Sequence, residues 1–293
     1  MVPIDLTGKN AFVTGVSDDV GFGWHVAKAL KAAGARVFLA CHPRVLGIVE
    51  RILSRPKNAE SRQLPYGVEG EFQPDGLFGC DVELDTESEI TADHRAVKGY
   101  EADVSIAGAM AKFDELAGGP LDILIHSVAF SPEIKKTHLE VSRKAYLTAQ
   151  SISAFSLVAM VQAALPRMTN GGSIVGMSYI AGERAVPFYG GGMSSAKAAL
   201  ESDARTLAWF AGEKNVRVNI ISAGPYASRA AKSIGDMSWM IDGTAERSPL
   251  RRAITAQEVA DGTLFLVSPM AAAVTGETLH VDAGFHAMSG LTG

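Results

Sequence analysis

Hydrophobic residues fall into two patterns along this chain. Short unbroken blocks occupy Asn10–Thr14, Arg36–Ala40, Leu121–His126, Ser173–Met177, Arg217–Ile221 and Thr278–Val281. Blocks of that length without apolar–polar alternation predict strands covered on both faces. Between them, Gly23–Ala33, Ser105–Leu116, Val141–Met168, Ser194–Gly212 and Ala256–Leu266 carry apolar residues every third or fourth position, which predicts helices. Strands and helices alternate almost from end to end. That order predicts an α/β fold: a single doubly wound domain with a mostly parallel sheet of about seven strands.

The pattern breaks between Arg55 and Gly99. Pro56, Pro65, Pro74 and an acidic run from Asp81 to Glu89 leave room for one short strand, Leu77–Cys80, between two surface insertions around 55–100. No repeat and no linker appears, so residues 1–293 read as one domain. Ala145 to Pro166 holds no charge over 22 residues. Thr148, Gln150, Ser151, Ser153, Ser156 and Gln162 interrupt it, which predicts a buried helix and no membrane span. The N-terminus lacks the apolar core of a signal peptide and the Arg/Ser richness of a transit peptide.

Composition narrows the function classes. Of 293 residues, 47% are apolar, 27 are Lys or Arg and 32 are Asp or Glu, for a net charge of −5. These proportions exclude a disordered chain, and without a basic run there is no electrostatic footing for nucleic acid. Cys41 and Cys80 are too few for a disulfide scaffold. Neither has metal-ligand spacing with the histidines, so a reducing compartment and no metal are expected.

Candidate chemistry sits in two places. The first strand runs into Thr14-Gly15-Val16-Ser17-Asp18-Asp19-Val20-Gly21-Phe22-Gly23-Trp24, and then a helix begins. Strand, glycine-rich turn and helix bring backbone N–H groups and a helix N-terminus to a pyrophosphate. Gly15 suits the tight turn, Gly21 the close approach of a phosphate, and Gly23 the packing of helix on strand. After the second strand, Ala40-Cys41-His42-Pro43-Arg44 offers no carboxylate for a ribose 2′-hydroxyl, while Arg44 suits a 2′-phosphate. Asp81 after the third strand could meet an adenine amino group or be a turn aspartate. These residues leave the choice of dinucleotide open.

The second place is Ser178-Tyr179-Ile180 and then Tyr189-Gly190-Gly191-Gly192-Met193-Ser194-Ser195-Ala196-Lys197. A tyrosine and a lysine beside a nicotinamide make a proton-donor pair, the ammonium holding ribose hydroxyls and the phenol the substrate oxygen. Ordinary short-chain dehydrogenases place the tyrosine four residues before the lysine, where this chain has Met193. Tyr189 stands eight before, roughly 12 Å away on a continuous helix. It should therefore lie outside the helix, folded back by a flexible Gly190–Gly192 run, with Ser194 as N-cap.

With these residues the chain resembles the enoyl-acyl carrier protein reductases of the short-chain dehydrogenase superfamily. The similar branch is the NADH-dependent one of plant plastids, apicomplexans and chlamydia-like bacteria. Gly15–Trp24, Leu124–Pro132, Tyr179–Leu200, Glu201–Asp203, Val218–Pro225, Ser228–Lys232 and Ile234-Gly235 carry the likeness. It implies a Rossmann-type domain, NADH as cofactor, and reduction of a 2-enoyl thioester on an acyl carrier protein. It also implies roles: Tyr189 on the thioester oxygen, Lys197 on the nicotinamide ribose, and Tyr179 as a second active-site tyrosine. Gly15, Gly21, Phe22, Asp81, Val82, Ser127, Val128, Pro225, Tyr226 and Ser228 fall at cofactor positions, with Tyr226–Ala230 along the nicotinamide and pyrophosphate. Ser131, Tyr179, Tyr189 and Tyr226 fall at substrate positions.

A substrate-binding loop is expected around 226–250, where Met237, Trp239, Met240 and Ile241 read either as simple core or as a mobile lid over a fatty chain, the lid being favoured. The resemblance also implies a homotetramer built on the long apolar helices, in a bacterial cytoplasm or a plastid stroma. Three residues depart from the plant-type pattern: His42 for a tryptophan, Phe130 for an asparagine and Tyr226 for a small aliphatic. His126 reads as a structural residue, and Arg247, Arg251 and Arg252 as a solvated basic edge or, instead, as a patch that attracts an acidic carrier protein. Two rival readings are a ketoacyl reductase, which Met193 opposes, and an inactive dinucleotide-binding regulator, which Tyr189 and Lys197 oppose.

Overall fold

A computed structural model of the chain describes residues 4–228 and 238–289. Seven strands form one sheet: β1 (Asn10–Thr14), β2 (Arg36–Cys41), β3 (Gly76–Gly79), β4 (Ile123–His126), β5 (Gly172–Ser178), β6 (Val216–Ala223) and β7 (Thr278–Val281). Their spatial order is β3-β2-β1-β4-β5-β6-β7, and every neighbouring pair is parallel. The expected mostly parallel sheet is wholly parallel. Neighbouring residues of a strand point to opposite cores. Phe12 packs with Phe38, Phe113, Leu124 and Leu157 on one face, and Val13 with Trp24, Leu39, Ile125 and Leu266 on the other. Both faces are apolar, which is why the strand blocks show no alternation.

The strand order reverses between β1 and β4. There the crossovers leave to opposite faces and open a crevice at the carboxyl ends of the strands, where doubly wound folds bind their ligands. The loops after β1, β4, β5 and β6 all rim that one edge.

The covering helices are α1 (Phe22–Ala32), α2 (Pro43–Ser54), the short α3 (Ala59–Arg62) and α4 (Ala92–Arg95), α5 (Ile106–Ala117), α6 (Arg143–Gln150), α7 (Ser156–Ala164) and α8 (Met193–Gly212). Two more follow at Ser238–Arg247 and Ala256–Val267. Helix α2 lies outside the sequence expectation. Pro43 takes its first turn, where the missing N–H costs nothing, and the His42 ring accepts the Arg44 N–H.

The surface insertions around 55–100 hold more structure than a solvated loop. Phe72 is fully buried edge-on against Trp24, with ring centroids 5.2 Å apart. Arg62 is buried too, donating to the carbonyls of Ile52 and Arg55 and pairing with Glu71. Tyr100 closes a small separate cluster with Leu84 and Val104. The acidic run divides accordingly: Asp81, Val82 and Leu84 are buried, and Glu83, Asp85, Glu87 and Glu89 are exposed.

The expected helix Val141–Met168 is not one regular helix. A π-helical turn, Ser151–Phe155, interrupts it between α6 and α7. The Ser156 hydroxyl donates to the Ile152 carbonyl at 2.7 Å, and Ser153 turns to the backbone of Phe130. The stretch Arg143–Ala164 is long and apolar enough to cross a membrane by length and composition alone. Ile152, Leu157, Met160, Val161 and Ala164 are instead buried in the core.

Candidate active site

The turn after β1 is built for close approach. Gly15 has φ +77°, and a Cβ there would lie 1.9 Å from the Ser127 carbonyl oxygen. Only glycine lets the β1 and β4 loops touch. Asp18, buried, accepts the N–H groups of Val20 and Gly21 at 3.0 and 2.8 Å, which fixes the turn ahead of α1. The N-cap of α1 is Gly21, with no side chain capping it. With no side chain in the way, the start of the helix is open to an anion, the arrangement a pyrophosphate needs. A Cβ on Gly23 would sit 3.1 Å from Val16, so Gly23 serves packing, as expected.

Phe22 and Tyr226 come together from opposite sides of the crevice, with ring centroids 5.4 Å apart. Ser127 and Val128 follow β4 and are half-buried, and buried Pro225 leads from β6 into Tyr226 and Ser228. Arg229 and Ala230, expected along the pyrophosphate, and Met237 of the expected lid lie outside the described residues. Within the expected loop around 226–250, Ser238–Arg247 is helical. Its Met240 is buried, and its Trp239 stands half-exposed edge-on to Phe188 at 5.0 Å.

Asp81 opens a turn, the plainer of its two readings, and has further partners there. Its Oδ2 accepts the Tyr100 hydroxyl at 2.5 Å and lies 3.6 Å from the His42 ring, while its Oδ1 accepts the Glu83 N–H at 3.1 Å. Sequence reasoning missed Tyr100, and the one available sign was a bulky aromatic ending a polar insertion. Arg44 is exposed at the start of α2.

Tyr189 lies before α8, outside the helix, as its spacing requires. Ser194 is not the N-cap of α8. Gly192 is, and no side chain caps it. The Ser194 hydroxyl donates instead to the Tyr189 carbonyl at 3.0 Å, because α8 starts two residues earlier than such a cap requires and Ser194 falls inside its first turn. Nor does the glycine run act as a flexible tether. Cβ atoms on Gly190, Gly191 and Gly192 would lie 2.1 Å from the Lys136 carbonyl, 2.3 Å from the Ser131 hydroxyl and 2.9 Å from the Tyr146 ring. The glycines seat Tyr189 tightly against the loop after β4. Ser131, an expected substrate contact, is buried and donates to the Gly191 carbonyl at 2.7 Å, so its hydroxyl holds this seat.

The Tyr179 and Tyr189 rings meet at 5.0 Å, and the Tyr179 hydroxyl reaches the Met240 sulfur at 3.4 Å. Burial pushes the Tyr179 phenol up to about 12 and raises that of Tyr189, so both are protonated donors at neutral pH. Lys197 is 3% exposed, and its ammonium donates to the Met177 carbonyl at 2.7 Å. Burial pushes it down to about 8, against the partly compensating charge of Glu201. His126 is structural, as expected: its Nε2 lies 2.7 Å from the Ser156 hydroxyl, and burial pushes the imidazole down to about 3. Among the described residues no group of three or more His, Cys, Asp or Glu is placed to hold a metal ion. Of the basic edge, Arg252 pairs with Glu258.

Comparison with known proteins puts this geometry in a family. The family described as Enoyl-(Acyl carrier protein) reductase matches residues 80–286. The chloroplastic enoyl-[acyl-carrier-protein] reductase [NADH] of Arabidopsis thaliana is 46% identical over 98% of this chain and 74% of its own. The enoyl-[acyl-carrier-protein] reductase [NADH] of a Nostoc strain is 37% identical over 97% of this chain and 99% of its own. The crystal structure of the Plasmodium berghei enoyl-acyl-carrier-protein reductase with triclosan superposes with TM-score 0.92 at 35% identity, covering 98% of this chain and 100% of that one. The Anaplasma phagocytophilum reductase in complex with NAD does so with TM-score 0.79 at 32% identity, covering 100% and 99%.

Proposed function

The chain belongs to the enoyl-acyl carrier protein reductase family, and on that premise we propose the residue roles by which it works. It is an NADH-dependent oxidoreductase that reduces the 2,3 double bond of trans-2-enoyl-acyl carrier protein thioesters, the last reductive step of fatty acid elongation. The bound reduced nicotinamide supplies a hydride to the β-carbon. Negative charge then develops on the thioester oxygen, where a donor already in place lowers the barrier, and a proton delivered to the α-carbon completes the reduction. Tyr189 is that donor, kept protonated by burial, with Tyr179 against its ring as the second. Lys197 holds the ribose hydroxyls as an ammonium.

Gly15, Gly21, Phe22, Ser127 and Val128 line the pyrophosphate side. Asp81 and Val82 take the adenine end. Pro225, Tyr226 and Ser228 flank the nicotinamide, and Tyr226 also faces substrate. Ser131 acts on substrate only through the Gly191 seat it holds.

The observation that carries this reading is the position of Tyr189 outside α8. A ketoacyl reductase needs a phenol one turn before the lysine, and that position is Met193, buried with its sulfur 3.4 Å from the Ser153 hydroxyl. The test is absorbance at the nicotinamide band with a crotonyl thioester and each reduced cofactor in turn. Oxidation of NADH with the enoyl substrate is expected, and none with a 3-ketoacyl thioester.

Assembly as a homotetramer is part of the proposal. Leu147, Phe155, Trp209 and Phe210 are exposed on α6, the π-turn and α8, and Trp209 is 78% accessible in the single chain. Large apolar side chains so placed suit a helix-to-helix interface between copies. Light scattering should return about four times the 30.8 kDa chain mass, and a monomer in dilute solution would refute it. Chloroplastic and bacterial relatives support a plastid stroma or a bacterial cytoplasm.

A further inference from the structure

One buried charge near the site has no part in the mechanism above. Glu201 lies one helical turn after Lys197 on the same side of α8 and is 4% exposed. A carboxylate that deep is rare unless it is paired. Its Oε1 accepts the Ser178 hydroxyl, from the residue next to Tyr179. Gly182 leaves it room: a Cβ there would lie 2.7 Å from the same oxygen and 3.1 Å from the Lys197 carbonyl carbon.

The charged and titratable groups facing Glu201 come from three elements. Burial and Glu183, on the segment after β5, raise the Glu201 carboxyl, Arg205 on α8 and His280 on β7 oppose this, and Glu201 in turn favours the charge of Lys197, also on α8. Glu183 is occupied by His280 at 2.8 Å, and the His280 ring stacks on His286 at 4.1 Å. Arg205 is exposed at the surface. Lys197 is the buried cation on the same side of α8, and its ammonium and the Glu201 carboxyl reach adjacent residues at the end of β5, Met177 and Ser178.

We propose that Glu201 is a positioning residue for Lys197: its carboxylate, held by Ser178 in the space left by Gly182, is the counter-charge that keeps the buried lysine an ammonium able to bind the ribose. The inference rests on the ribose role assigned to Lys197. Without the carboxylate, Lys197 keeps its hydrogen bond to the Met177 carbonyl, and burial acts on its charge unopposed. A group that balances a buried ammonium extends the pH range over which it stays charged.

The experiment is a fluorescence titration of the whole enzyme with NADH from pH 6 to 9, beside the pH profile of kcat/KM. Wild type, Glu201→Gln, Ser178→Ala and Lys197→Met are compared. For Glu201→Gln, the alkaline loss of NADH affinity should move to lower pH by about one unit or more, with affinity at pH 6 changed less than at pH 8. Ser178→Ala keeps the carboxylate but frees it, so it should shift the profile in the same direction by less. It also serves as the readout if Glu201→Gln does not fold.

A purely structural glutamate would lower the melting temperature and leave both profiles in place. If Lys197→Met loses NADH binding while neither of the other variants moves the profile, the proposal is wrong and the ribose role stands. If Lys197→Met binds NADH like wild type, the ribose role itself is wrong and the proposal falls with it.

Discussion

The Tyr179 and Tyr189 rings meet with centroids 5.0 Å apart and planes at 62°, although nine residues of chain lie between them. Tyr179 is set by the end of β5, and Tyr189 by the glycine seat against the loop after β4. An edge-to-face contact of this kind aligns both phenols without joining their hydroxyls. Two protonated donors can then converge on one oxygen.

Removing one donor tests that arrangement. Tyr189→Phe should slow enoyl reduction by roughly 10²–10³-fold, the cost of one missing oxyanion donor, with the protein still folded. Tyr179→Phe should cost less, because Tyr189 remains. Stopped-flow traces at the nicotinamide band with a crotonyl thioester read both, and a fully active Tyr189→Phe enzyme would overturn the assignment.

The lysine sets a pH limit. Burial holds Lys197 down to about 8 in the free enzyme, so the ammonium is present below that pH and lost as pH rises through it. NADH affinity should therefore fall above about pH 8 and stay level between pH 6 and 7. Affinity that is flat up to pH 9.5 would contradict the ribose role.

Gly15→Ala should destroy cofactor binding. Its Cβ would overlap the Ser127 carbonyl at 1.9 Å and force a left-handed backbone, φ +77°, on alanine. The β1 and β4 loops would have to separate at the switch point. Calorimetric titration with NADH should show no binding by the folded variant, and normal affinity would show that the loops can part without loss.

Acid should weaken the fold through His126. Burial and the nearby Lys197 depress its imidazole to about 3, below the ordinary 6.5. A depressed pKa means the stabilising contribution is complete above the ordinary value and is lost as pH falls from 6.5 toward 3. The melting temperature of wild type should drop across that window. The drop should be shallower in His126→Asn, and an equal slope in the two proteins would place the acid sensitivity elsewhere.

Thr255 caps the helix Ala256–Val267 in a capping box with Glu258, whose side chain reaches back to the Thr255 N–H at 2.8 Å. Thr255→Ala should cost about 1 kcal/mol of stability and leave kcat unchanged. Urea unfolding beside a turnover assay separates the two effects.

Much of this molecule was legible in the order of its residues. Period and length located all seven strands to within a few residues; the inner ones, buried on both faces, must be apolar throughout, while β3 and β7 at the sheet edges are half-buried. The eight-residue gap from Tyr189 to Lys197 already placed the tyrosine outside the helix, since helical rise alone separates positions so spaced. Other features depend on partners distant in sequence. Nothing local says that Gly190, Gly191 and Gly192 abut Lys136, Ser131 and Tyr146, so the run read as flexible where packing makes it rigid. Ser194 had an N-cap's composition, yet α8 begins at Met193 and turns the hydroxyl to Tyr189. Tyr100 and Phe72 sat in polar stretches that looked solvated, and only the approach of Asp81 and Trp24 buries them. Nothing local marks Glu201 as buried, and only the packing of α8 against the end of β5 and Gly182 takes it from water. Local sequence carries hydrogen-bond propensity and hydrophobic period. Which side chain loses its water, and to which neighbour, is decided when segments far apart in the chain pack together.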